Sequence, residues 1–373
     1  MSLRIFAALP RSAWVDLNLR RSLEDMGHQL VRFDFPGWPD DADPAWRRHG
    51  KPTTNQRLLD AFRSARRGGP LDLFFGYFYA SVVYPETIDL IRQSGVPTVN
   101  FSCNNVHQFE LVEPIAAHFD VCMVPERAAL ERFRAVGARP VRIQLAANPR
   151  VYRPYPEPRI YDVTFVGQRY ADRAEFLDHL YRHGVQVRAW GAGWRPHKRL
   201  DLASVKAAVA LVEDERLDGV QRLIRQARCG SSARLQRDLT RCIDTSAYGG
   251  PRLLHRDLIR TFSRSRISLG FATAGASHGA ACRVTHLRLR EFEAPMSGAL
   301  YVTEYQQELE EYFAVGRELL AYTDRDDLLD QVRYYLAHPE HAERIRRAGH
   351  HRALRDHTWQ HRFQELFTLL NLT

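Results

Sequence analysis

Residues 286–304, HLRLREFEAPMSGALYVTE, decide how the rest of the chain reads. They join a helix, a glycine stop and a strand. Leu289, Phe292 and Met296 recur at i, i+3 and i+7, the period of one buried helix face. Arg290, Glu293 and Ser297 repeat that spacing about a quarter turn away, so a cation and a carboxylate lie side by side at the edge of the face. Gly298 suits the left-handed position after a helix end. Residues 299–303 form a short apolar strand, with Thr303 and Glu304 at its carboxyl end. Pro295 removes one helical hydrogen bond and should kink the segment. Arg290 and Glu293 then have two readings: a solvated surface pair, or a pair presented at the ligand edge of a parallel sheet.

Outward from this stretch the same αβ unit recurs. Upstream lie the strand YDVTFVG, the helix ADRAEFLDHLYRHG, the strand VQVRAWGAGW, the helix RLLHRDLIRTFSRS, the strand RISLGF and the small-residue loop ATAGASHGAAC. Downstream come LEEYFAVG as a helix, ELLAY as a strand, DDLLDQVRYYLAHP as a helix, and closing helices from His341 and Thr358. Residues 199–248 break the alternation; they are arginine-rich, helical in period, and read as a helical insertion without a strand. The first half alternates as well, from LRIFAAL at residues 3–9 through a helix at 14–26 to VRIQLAA. Between the halves, NPRVYRPYPEP carries four prolines and reads as a stiff linker. The expectation is an α/β protein of two Rossmann-like, doubly wound domains facing a cleft. Residues 1–150 form the first domain and 151–357 the second, with its insertion at about 199–248. Residues 358–373 form a C-terminal helix packing back on the first domain.

Composition narrows the class. The 373 residues are 45% hydrophobic and 26% charged, enough core for two globular domains. The formal net charge of +9 comes from arginines spread along the chain, a general preference for phosphate-bearing ligands. No basic strip interleaved with aromatics is present, so nucleic acid is not an expected partner. No apolar run reaches about 18 residues, so no transmembrane segment is expected. MSLRIFAALP reads as a first strand, not a secretory leader. The five cysteines show no CxxC spacing and read as free thiols, which with the start of the chain suggests a cytoplasmic protein. The first βα turn lacks GxGxxG, which argues against a nicotinamide or flavin cofactor.

In open parallel sheets ligands sit outside the carboxyl ends of the strands. In the second half those ends gather Gly167, Gln168 and Arg169, residues 191–194, residues 272–279, and Thr303 with Glu304; Arg173, Arg195, Lys198 and His278 lie nearby. Backbone N–H groups at helix starts plus arginines suit a diphosphate. Trp194, after Gly191 and Gly193, either stacks a base or belongs to the core. A carboxylate such as Glu293 suits a ribose diol. The strand ends of the first half supply Arg11, Ser81, Asn104, Asn105 and His107; Asn105 and His278 are the candidate catalytic residues. Asp41 with Asp43 and Asp324 with Asp326 have D-x-D spacing, but short acidic pairs in loops are common and no metal site is expected. His357 and His361 read as a solvated, histidine-rich tail, and Arg222, Arg225 and Arg228 as a solvated helix face.

These pieces also resemble a known family. YDVTFVGQRYADR, VRAWGAGW, ISLGF, LREFEAPMSGALYVTE, LEEYFAVGRELLAYTDRDDLLDQVRYYLAHPE and AGHHRALRDHTWQHR are similar, in order and spacing, to the CgeB-like glycosyltransferases of the GT-B superfamily. The resemblance covers most of 160–373 except the insertion; VNFSCNN and ANPRVYRPY match more loosely. It implies transfer of a sugar from a nucleotide diphosphosugar to an acceptor hydroxyl without a metal or other cofactor. Together with the strand-end reading, it makes Gly167, Arg169, Arg173, Gly191, Trp194, Arg290, Glu293, Thr303 and Glu304 the candidate residues around the donor. Glu293 matches the second glutamate of the E-x7-E pair of related retaining enzymes, which holds the donor ribose, while Thr285 stands where the first would be. The acceptor, a glycan, small molecule or protein, is not named by these motifs. A GT-B epimerase or hydrolase and a non-catalytic nucleotide-sugar-binding protein remain alternatives.

Overall fold

A computed structural model describes residues 2–195, 243–273 and 284–372. Two six-stranded sheets, every strand pair parallel, carry the architecture. The first holds β1 (Arg4–Pro10), β2 (Gln29–Phe35), β3 (Leu73–Gly76), β4 (Thr98–Phe101), β5 (Val121–Val124) and β6 (Pro140–Arg142), in the order β2-β1-β3-β4-β5-β6. The second holds β7 (Tyr161–Val166), β8 (Val187–Trp190), β9 (Gly249–Gly250), β10 (Ser265–Leu269), β11 (Tyr301–Glu304) and β12 (Leu320–Tyr322), in the order β12-β11-β10-β7-β8-β9. β1, β3, β4 and β5 are almost wholly buried, as strands covered on both faces must be.

The order reverses between β1 and β3 in one sheet and between β7 and β10 in the other. At such a switch point the two neighbouring loops leave in opposite directions and open a crevice. The Arg173–Arg182 helix follows β7, and β10 runs into the segment ending at Thr273.

Two elements differ from the sequence reading. A two-residue strand, Gly249–Gly250, extends the second sheet beside β8. It lies at the end of the insertion, where no strand was expected, and two glycines carry no apolar pattern to announce it. LEEYFAVG is not an α-helix; its start belongs to a short 3-10 turn at Gln307–Glu311. Pro295 sits inside the Arg290–Met296 helix near its end, one turn before Gly298 takes a left-handed φ of 76°.

The linker is pinned, not loose. The Tyr152 hydroxyl lies 2.6 Å from Nε2 of His255 and accepts from Asn18 Nδ2 at 3.2 Å, joining the two halves. The chain crosses between the sheets a second time near its end. Ala147 and Thr358 form a parallel bridge, and the Trp359–Leu369 helix lies on the first domain. Trp359 meets Trp14 and Phe101, Phe363 meets Phe75, and Phe367 meets His28.

Candidate functional site

The carboxyl end of β7 is built for close backbone approach. Gly191 has φ 147°, and a Cβ there would lie 2.0 Å from the carbonyl oxygen of Gly167. Only glycine lets the turn after β8 cross so near the turn after β7. Trp194 then folds inward and is fully buried, its Nε1 donating to Gly167 O at 2.7 Å against the Phe165 ring. This corrects the donor-binding reading of Trp194: an indole with no exposed face cannot stack a base, and it serves to clamp the two glycine turns together.

Arg169 and Arg173 part company. Arg169 turns toward the end of the insertion, donating to Thr245 Oγ1 at 3.2 Å and Ile243 O at 2.9 Å. Arg173 opens its helix and is buried, donating to Gln168 O at 3.1 Å and Tyr170 Oη at 2.5 Å, with its guanidinium 3.7 Å from the Tyr170 ring centroid. Among the described residues it pairs with no carboxylate. Burial first, and then the charge of Arg288, push its pKa down. A buried cation at the N-terminal end of a helix, with no ion partner among the described residues, is chemically able to hold an anion. Ala171, just before that helix, holds a left-handed φ of 57°. Such strain in a non-glycine residue recurs at ligand-binding turns.

Arg290 and Glu293 form an ion pair, but not a solvated one. Glu293 is fully buried, its Oε2 taken by Arg290 and its Oε1 without any partner. Burial is also the chief cause that lowers the Arg290 pKa. The surface-pair reading is thereby replaced by a buried carboxylate with one oxygen left over. Leaving such an atom unpaired costs about 1–3 kcal/mol or more for a charged group, which marks the position as unfinished without a ligand.

The two β11 residues serve as supports. Thr303 is buried and donates to Glu291 Oε1 at 3.1 Å. Glu304 accepts from Ala272 N, Thr273 N and Thr273 Oγ1 at 3.0, 2.9 and 2.7 Å, fastening the loop after β10. His278 in that loop lies outside the described residues, as do Lys198, Arg222, Arg225 and Arg228.

On the other side stands the loop after β4. Asn104 has φ 65° and opens a turn whose next residue, Asn105, is fully buried. The Asn105 amide donates to Ser102 O at 3.0 Å and to Glu126 Oε2 at 2.9 Å. Its Oδ1 and the neighbouring Ser102 Oγ are left without partners. Glu126 also accepts from Asn104 N. Burial raises its carboxyl to about 7 against those hydrogen bonds. The sequence reading missed Glu126, a lone carboxylate after Pro125 with no partner nearby in sequence. It missed Arg288 too, which sits inside the stretch that decides the fold but outside its periodic face.

One other side-chain reading changes. His357 is 3% exposed, its Nε2 2.7 Å from Tyr312 O and its ring against Phe292 and Phe313. It is core, not solvated tail, and burial holds it neutral at about 4. Asp324 caps the Arg325–Ala337 helix by accepting from Asp326 N and Asp327 N.

Comparison with known proteins identifies the family and the fold. A family model described as glycosyl transferase-like matches residues 169–368, more than half of the 373 residues, and the chain belongs to that family. No curated protein matches the sequence. Sucrose-phosphate synthase from Thermosynechococcus elongatus superposes with a TM-score of 0.61 at 14% identity, covering 100% of this chain and 98% of that one. Anabaena HepE in complex with UDP-glucose gives 0.57 at 11% identity, with 100% of both chains covered. A putative UDP-N-acetylglucosamine 2-epimerase from Listeria monocytogenes gives 0.53 at 10% identity, covering 100% of this chain and 98% of that one. At these identities the likeness is one of fold, and the fold is GT-B: two Rossmann-like domains.

Proposed function

We propose that the protein transfers a sugar from a nucleotide diphosphosugar to an acceptor hydroxyl, with the donor held mainly by the second domain. The observation that carries this reading is the buried Glu293 carboxylate with its unpartnered oxygen, in a chain of the glycosyl transferase-like family. A ribose diol supplies the O–H donor that Oε1 lacks, while Arg290 pairs with Oε2 and orients the carboxylate. Arg173 and the first N–H groups of its helix face the donor's phosphates and neutralise charge building on the leaving diphosphate. Gly167 and Gly191 let the backbone come close, and Glu304 fastens Ala272 and Thr273 after β10. Asn105 presents an acceptor oxygen from the first domain toward the incoming hydroxyl. Because arginine and backbone N–H groups supply the positive charge, no divalent ion takes part, and turnover persists in EDTA. The CgeB-like branch is the subfamily favoured by the motif order.

The test is Glu293→Gln, which keeps the shape and removes the charge. Charge-assisted hydrogen bonds contribute roughly 1.5–3 kcal/mol, so nucleoside diphosphate affinity falls by roughly 10- to 100-fold. Titration of both proteins with UDP, GDP and dTDP reads this directly, and equal dissociation constants end the ribose assignment. Product analysis without acceptor separates transfer from epimerisation, since an epimerase turns over its nucleotide sugar alone.

A further inference from the structure

Where the two domains meet, three nitrogens are buried without a hydrogen-bond partner: Nδ1 of His107, Nε2 of His286 and Nε of Arg288. His107 comes from the first domain and His286 from the second; their ring centroids lie 5.6 Å apart. His286 is 3% exposed. Its Nδ1 lies 3.1 Å from Leu287 O. A carbonyl only accepts, so that nitrogen carries the hydrogen, and Nε2 of the neutral ring is bare. Arg288 donates from Nη2 to Thr273 O at 2.9 Å, and only its backbone N reaches Glu291, at 2.7 Å. No carboxylate among the described residues forms an ion pair with its guanidinium.

Arg288 is the charge acting on both rings, while Glu110 opposes it at His107 and Glu126 acts on the neighbouring Cys103. Burial, then Arg288 and His107, push His286 down to about 3, with the Leu287 carbonyl opposing. Burial and then Arg288 also lower His107, with Glu110 opposing. The Cys103 thiol beside them is pushed up to about 12 and stays neutral. Burial raises Glu291 to about 7, which weakens it as a counter-charge. A cation and orphaned nitrogens held this way are costly unless something fills the space between them.

We infer that Arg288, His286 and His107 form an oxyanion site closed by both domains, filled by an anionic group of the substrate: a phosphate of the donor or the carboxylate of an acidic sugar. The inference rests on the donor reading above and adds to it a residue of the first domain, His107, acting on the donor's charge. Arg288 donates through Nε–H. As the anion arrives, His286 Nε2 takes one proton from solvent and becomes a second N–H donor, so one proton is bound per anion. Affinity therefore rises as pH falls, by up to about tenfold per unit while His286 is neutral before binding.

The experiment is calorimetric titration of the wild-type chain, Arg288→Gln, Arg288→Lys and His107→Gln with sodium pyrophosphate and with sodium D-glucuronate, at pH 8 and pH 6. Melting curves of each free variant establish that it is folded. The expected result is tighter wild-type binding at pH 6, about tenfold or greater weakening in Arg288→Gln, a smaller loss in His107→Gln, and partial retention in Arg288→Lys. Response to pyrophosphate alone assigns the site to a donor phosphate; response to glucuronate alone assigns it to an acidic sugar. A wild-type chain that binds neither, or Arg288→Gln and His107→Gln variants that bind as tightly as wild type, overturns the inference. The nucleotide reading fails separately: wild-type binding of pyrophosphate with no response to any nucleoside diphosphate leaves the oxyanion site standing and removes the ribose site.

Discussion

Glu126 and Trp194 each put a number on what a single residue contributes. The Glu126 carboxyl is raised to about 7 from an ordinary 4.5, chiefly by burial. A raised acid binds its proton more tightly folded than unfolded. Its contribution is complete below about pH 4.5 and is lost as pH rises through about 7. Glu126→Gln does not titrate. The stability of the wild type relative to that variant therefore declines between these limits and is flat above them, which urea unfolding at pH 4.5, 6 and 8 measures. Trp194→Phe leaves Gly167 O without its donor and costs about 1–3 kcal/mol. Nucleotide affinity should stay within about twofold, since the indole is interior. A base-stacking tryptophan gives the opposite pair of results, so melting and titration of one variant decide the matter.

At the scale of elements, the turns after β7 and β8 are the most constrained. Gly191→Ala would set a methyl group 2.0 Å from Gly167 O at φ 147°. The turn must then move, with a loss of about 2 kcal/mol or more and a weakened donor site, measured by thermal melting with and without nucleotide. These elements also show what a sequence can tell. Strands such as FDVCMVP and YDVTFVG were legible because a doubly covered parallel strand needs a continuous apolar run. Gly249–Gly250 was not, because a two-residue edge strand needs only backbone. The helix with Arg290 and Glu293 was legible from its period, yet its depth was not; a charge at the edge of an apolar face reads as surface until elements distant in sequence pack over it. Glu126 and Arg288 escaped for a related reason. Each acquires its role from groups distant in sequence: Asn105 lies 21 residues from Glu126, and Thr273 15 from Arg288.

Across the whole molecule, the two domains are tied at several separate places. Arg142 of β6 reaches Glu308 and Glu311 beyond β11 at 2.6 and 2.8 Å, and Tyr152 bridges Asn18 and His255. The last helix is the strongest tie. Arg362 donates to Gln144 O at 3.0 Å, and Trp359 is wholly buried against the first domain. Trp359→Ala should cost about 3–5 kcal/mol, as large aromatic truncations in cores do. The loss should appear as lower stability of the first domain, followed by hydrogen exchange in β1, β3 and β4.

That last helix also sets a timetable. The first domain's sheet ends by Arg142, yet the rings that cover it, Trp359, Phe363 and Phe367, are encoded more than 200 residues later. At roughly 5–20 residues per second, the ribosome leaves that apolar face waiting for about 10–40 s. The N-terminal half therefore cannot mature as it emerges. It depends on chaperone cover or on partial collapse until the Trp359–Leu369 helix has been made, and a chain cut short before that helix keeps its first domain open.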